Sequence, residues 1–223
     1  MTRIPRWPAV GLALALGACS DIAPPVRNDL YEWRLIVPNA TSTALDSLSF
    51  QWPHDRLPVR IWAEDAAGLP GYVAGGIAAW RPAFLYDEFD ATLVGDSAAA
   101  DVIVRASSPP GPALSRVRLH AVAPECDGAT DLDISDDHTQ LRLPVRVYVN
   151  PGFTPDAAAL DRCMALTTTH ELGHALGIFR HSPETTDLMY SDPTVEAPTE
   201  RDLGTAEILY HVKPNLVPVN GER

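Results

Sequence analysis

The sequence predicts an α+β fold, on three observations. Short stretches of alternating apolar and polar residues recur through the first two thirds of the chain. A capped helical pattern of about 22 residues, or about 33 Å, follows, and a second capped helix comes near the C-terminus. A length of 223 residues suits one ordinary domain with a short appendage. Apolar residues at 46%, charged residues at 21% and aromatics at 7% are the balance of a chain that buries a real core, which excludes a mainly disordered or multi-spanning membrane protein. The 29 acidic residues outnumber the 17 basic ones, so no electrostatic footprint for nucleic acid is present.

The chain opens with Arg3 and Arg6, an apolar run over residues 9–16, and small residues up to Cys19, which reads as a signal peptide over residues 1–18. The run is well short of the roughly 20 residues that a membrane-spanning helix needs. Leu16, Gly17, Ala18 and Cys19 resemble the lipobox of bacterial lipoproteins. That resemblance implies a lipidated Cys19 as mature N-terminus, export, and anchorage to the cell envelope, with Ser20 favouring the outer membrane or cell surface. Residues 19–48 then read as a lipid-anchored tether holding one strand, residues 49–217 as the catalytic-size domain, and residues 218–223 as a tail.

Within the domain, Val59, Ile61 and Ala63 alternate with Arg60 and Trp62, a half-buried strand. A helix follows from about Pro70, where Val73, Ile77 and Trp80 recur at i, i+4 and i+7, and Pro82 ends it. Residues 89–94, 101–105 and 143–149 are further strands, the last showing Val145, Val147 and Val149 on one face. Residues 107–140 read as a loop-rich stretch. Thr154 before Pro155, with Asp156 in the first turn, starts the long helix, and Gly177 terminates it after Leu176. The last helix begins at Thr199 with Asp202 completing its cap, and Leu203, Ala206 and Tyr210 form its apolar stripe.

The long helix ends in HELGHALGIFRH, residues 170–181. Four-residue spacing puts His170 and His174 one turn apart on one helix face, the span a tetrahedral zinc needs from two nitrogens. Glu171 is not required as a ligand and is placed to act as general base toward a metal-activated water. Gly177 permits a reversal that can bring His181 to the same ion. Three protein ligands leave a fourth position open, the mark of a catalytic zinc. Gly173 lies inside the helix at a cost of about 1 kcal/mol relative to alanine, which signals close packing. A carboxylate third ligand, Glu196 in place of His181, is the gluzincin-type alternative. A catalytically silent surface lipoprotein acting in binding is the other, and the intact Glu171 argues against it.

With Cys19 assigned to lipid, Cys126 and Cys163 remain for an oxidising compartment, as a disulfide or as two buried thiols. Asp127, Asp131, Asp133, Asp136 and Asp137 read as a solvated acidic loop, with Ca2+ binding through several carboxylates as the alternative.

HELGHALGIFRHS followed by DLMYS resembles the metzincin zinc endopeptidases, and among them the matrixins. The resemblance implies a zincin-type mixed, twisted sheet with a long active-site helix and a C-terminal helix. It implies Zn2+ held by His170, His174 and His181, Glu171 as catalytic base and acid, Met189 as the methionine turn beneath the metal, and a protein or peptide substrate. Tyr190 follows Met189 as in matrixins and takes no ligand role. More weakly, residues 57–65 are similar to the family's first strand, 97–107 to its third, and 119–124 to the edge strand that pairs with substrate. Three departures stand out. The spacer from Gly177 to His181 has three residues instead of two, so the loop must bulge. No pro-domain cysteine switch precedes the domain. His120 and His138 lack the accompanying ligands of the matrixin structural zinc and stay unassigned.

Overall fold

The computed structural model of the chain describes residues 30–221 apart from 40, 112–115 and 123–124. The segments read as signal peptide and lipobox, with Cys19, lie outside the described residues.

The segment read as a tether holds two strands. β1 (Leu35–Pro38) and β2 (Leu45–Leu48) pair as an antiparallel hairpin, and the chain then sinks Leu48, Phe50 and Trp52 into the core. The expected strand at 59–63 is β3 (Val59–Ala63), whose Val59, Ile61 and Ala63 point inward. Helix α1 (Leu69–Trp80) stops where Pro82 cannot continue it. β4 (Ala91–Leu93) and β5 (Val102–Arg105) fall within the strand stretches read from sequence.

The stretch 107–140 corrects the loop reading: it contains β6 (Arg116–Val122) and the nine-residue β7 (Cys126–Ile134), an antiparallel hairpin. Of the acidic residues that suggested a loop, Asp127, Asp131 and Asp133 lie at odd-numbered positions of β7, while Asp136 and Asp137 fall in the turn after it. Asp131 takes Arg118 at 2.6 Å and Asp133 takes Arg142 at 3.1 Å, so each charge is neutralised by a neighbouring strand. Strand formation here follows from cross-strand pairing and overrides the low β propensity of Asp and Gly. β8 (Gln140–Pro151) then crosses the middle of the sheet.

The long helix α2 spans Ala157–Leu176, 20 residues. Its cap is Asp156 instead of Thr154: Asp156 Oδ1 accepts from the amides of Ala158 and Ala159, both at 3.0 Å. The Thr154 hydroxyl accepts from the amide of Asp156, outside the helix. α3 (Glu200–His211) carries the expected capping box between Thr199 and Asp202. β9 (Val217–Asn220), in the stretch read as a tail, runs parallel to β8.

The seven-stranded sheet has the order β4-β3-β5-β8-β7-β6, with β9 joined to β8. β4, β3, β5 and β8 are parallel; β7 runs against β8, and β6 against β7. This is a mixed α+β sheet with α2 packed on it. α1 packs against α2, and α2 lies over β7 and β8. Trp80, whose indole N–H donates to the Thr169 carbonyl at 2.8 Å, seals the α1–α2 contact.

Candidate metal centre

One turn of α2 separates His170 from His174, and both are fully buried. Their Nε2 atoms stand 3.1 Å apart, and His174 Nε2 stands 3.3 Å from His181 Nε2. The three ligand atoms all lie within 4.8 Å of one another. Two nitrogens bound to one tetrahedral zinc at about 2.0–2.1 Å would be about 3.3 Å apart.

The tautomers follow from what each Nδ1 faces. His170 Nδ1 lies 2.6 Å from the Leu188 carbonyl, and His174 Nδ1 lies 2.5 Å from the Ile178 carbonyl. His181 bonds the backbone of His120 on β6. A carbonyl only accepts, so the Nδ1 atoms of His170 and His174 carry the proton and their Nε2 lone pairs face the common point. Burial pushes His170 down to about 3 and holds His174 well below the ordinary histidine range; it also lowers His181, which sits nearer the surface. Neutral imidazoles with converging lone pairs in a buried space are a donor set that fits a divalent cation such as zinc.

Gly177 makes the turn that returns the chain. Its φ of +120° suits glycine, and a Cβ there would lie 2.3 Å from the Phe50 carbonyl oxygen. The bulge expected from the longer spacer is carried by residues 178–180. The Ile178 amide returns to the Gly173 carbonyl at 3.1 Å, and the Phe179 amide donates to the Trp33 carbonyl at 2.8 Å. His181 is thereby brought to the cluster, whereas Glu196 is exposed and outside it.

Met189 is fully buried against Gly173 of α2. Its Sδ lies where a Cβ on Gly173 would fall, 2.5 Å from that position, which accounts for glycine inside α2. The turn that carries Met189 hangs on Asp202 of α3. One carboxylate oxygen of Asp202 accepts from the Leu188 amide at 2.9 Å, the other from the Met189 amide at 3.4 Å and the Tyr31 hydroxyl at 2.9 Å. Asp187 accepts from Thr199 Oγ1 at 2.9 Å and from Ser182 Oγ.

Glu171 is also fully buried, and Thr130 Oγ1 donates to its Oε2 at 2.6 Å. Cys126 and Cys163 are joined as a disulfide between β7 and α2. Four of the five aspartates considered for calcium are turned to other partners: Asp131 and Asp133 to arginines, Asp127 to Asn150, and Asp137 to Ser135. Among the described residues, the three histidines are the group that could hold an ion. His138 pairs with Asp46 at 2.7 Å, and His120 contributes its backbone to His181. Sequence reasoning missed Thr130, Tyr31 and the second role of Asp202. For Asp202 the capping pattern was a signal of position, but not of its grip on the turn that carries Met189.

Fold and site together define an α+β protein with a buried three-histidine group able to hold a metal ion such as zinc. Compared with protein-family models and with curated protein sequences, the chain finds no match in either.

Proposed function

We propose that the chain is a zinc-dependent endopeptidase of the metzincin type, matrixin-like, that cleaves protein or peptide substrates while held at the cell envelope through Cys19. The observation that carries this reading is the convergence of three imidazoles, His170 and His174 from α2, which also carries Glu171, and His181 from the loop that follows it. His170, His174 and His181 would hold the ion. Zinc in such a site supplies Lewis acidity and brings the pKa of water near 7.

The rest of the reaction belongs to the protein. Glu171 takes a proton from the attacking water and returns it to the leaving amine, the two roles of one general base and acid. The carbonyls of Leu188 and Ile178 keep the imidazoles of His170 and His174 in the tautomer that points Nε2 inward. β6 ends the sheet order next to His181, so its outer edge offers backbone groups to an extended peptide. His181 in the cluster, with Glu196 outside it, favours the three-histidine set over the gluzincin-type set.

Glu171→Ala should keep one zinc per chain and lose nearly all casein hydrolysis relative to wild type. A Glu171→Ala protein that cleaves at the wild-type rate overturns the reading. Stoichiometric zinc with no cleavage by wild type across a broad peptide library replaces it with the silent binding lipoprotein.

A further inference from the structure

The contact between β7 and α2 has a regular build that the proposed chemistry does not by itself require. Cys126, Gly128 and Thr130 lie on one face of β7, and Cys163, Thr167 and Glu171 lie four apart on one face of α2. Two strand residues rise about 6.6 Å and four helical residues about 6.0 Å, so the two series stay in step. Each step is a contact. Cys126 is bonded to Cys163. A Cβ on Gly128 would lie 2.5 Å from Thr167 Cγ2 and 2.6 Å from Glu171 Oε1. Thr130 donates to Glu171 Oε2 at 2.6 Å.

The last step bears on the reaction. Thr130 is fully buried and has one hydroxyl proton, with two acceptors in reach: the Glu171 main-chain carbonyl at 3.1 Å and its carboxylate at 2.6 Å. If the hydroxyl needed only a partner, the carbonyl would suffice. The shorter bond goes to the side-chain carboxyl group. We propose that Thr130 is a positioning residue for Glu171, clamping Oε2 and so fixing the orientation of the carboxyl group that carries the proton, with Gly128 leaving the space against which Oε1 lies. This rests on the reading of Glu171 as the proton carrier.

Thr130→Val keeps the shape of the side chain and removes the donor; Thr130→Ser keeps the donor. In the full zinc-loaded chain, Thr130→Val should lower kcat about 10- to 100-fold, the usual scale for a group that orients a metal-site residue. KM and zinc content should hold, and Thr130→Ser should recover most of the loss. In a Glu171→Gln background, Thr130→Val should change hydrolysis no further. A 13C resonance of the Glu171 carboxyl, assigned by its loss in Glu171→Gln, should move in Thr130→Val and return in Thr130→Ser. Wild-type kcat in Thr130→Val, or an equal loss in both backgrounds, overturns the proposal, as does an unmoved carboxyl resonance. If wild type cleaves nothing, the peptidase reading fails alone, and the resonance still decides whether Thr130 holds Glu171.

Discussion

The two halves of the histidine cluster are built by different means. His170 and His174 come from consecutive turns of α2, where helical geometry sets their separation and the sheet backs them. His181 comes from a loop, and its place depends on Gly177, on the Phe179–Trp33 bond, and on the backbone of β6. The helical half is local and rigid, whereas the loop half is assembled from segments far apart in the chain. Sites of this kind divide into ligands that come with an element and a ligand that the tertiary fold must deliver.

The largest expected effect sharpens that division directly. His174→Ala removes the ligand whose Nε2 lies 3.1 Å from one neighbour and 3.3 Å from the other. It should abolish stoichiometric zinc. His181→Ala leaves the helical pair intact and should retain weakened, chelator-sensitive zinc, measured by metal analysis after dialysis. Equal zinc in both variants would break the comparison.

Next come the ties behind each half. Replacing Cys126 and Cys163 by alanine opens a cross-link spanning 37 residues, which costs about 4 kcal/mol on the chain-entropy argument. Zinc affinity should hold, because the bond lies two helical turns from His170. Gly177→Ala places a Cβ against the Phe50 carbonyl at an unfavourable φ. It should cost about 3 kcal/mol and also weaken zinc, since the reversal carries His181. Denaturant unfolding with zinc titration checks both. A Gly177→Ala protein with wild-type zinc affinity would mean that the loop half is as self-sufficient as the helical half.

Acid should act mainly through the helical pair. Burial holds His170 near 3 and His174 well below the ordinary range, whereas both titrate near 6.5 in the unfolded chain. Between those limits the unfolded state binds more protons, so stability falls as pH falls. Metal-free protein should lose about 1.4 kcal/mol per pH unit for each buried imidazole below pH 6.5, read from urea midpoints at pH 7, 6 and 5. A flat profile over that window would show that the pair is not buried neutral.

How far the sequence discloses this arrangement follows the same division. The positions of His170, Glu171 and His174 were legible because helical spacing is local, and the α3 cap at Thr199 and Asp202 for the same reason. β7 was not, because its aspartates look like a loop until Arg118 and Arg142 arrive from other strands. Nor were the carbonyls of Leu188 and Ile178 or the β6 backbone: main-chain acceptors carry no residue identity. The shift of the α2 cap from Thr154 to Asp156 is smaller, since two competent caps stand two residues apart and backbone geometry chooses between them.

The smallest expected effect separates the halves most cleanly, since it compares two substitutions of equal chemical size. Asp156 caps α2 at its exposed end, far along the helix from the histidines. Thr199 caps α3, but its hydroxyl also donates to Asp187, while its partner Asp202 holds the amides of Leu188 and Met189. The Leu188 carbonyl in turn accepts a hydrogen bond from His170 Nδ1. Loss of either cap should cost about 1 kcal/mol. Asp156→Ala should leave zinc affinity unchanged, because helical hydrogen bonds keep the last turns of α2 in place when the first turn frays. Thr199→Ala should lower zinc affinity about tenfold, on the scale of an outer partner of a metal ligand, because it loosens the turn that fixes the His170 ring. Competition with a chelator at matched stability measures the difference. If the two variants bind zinc alike, the turn that carries Met189 is held by Asp202 alone, and the hydroxyl of Thr199 serves only its helix.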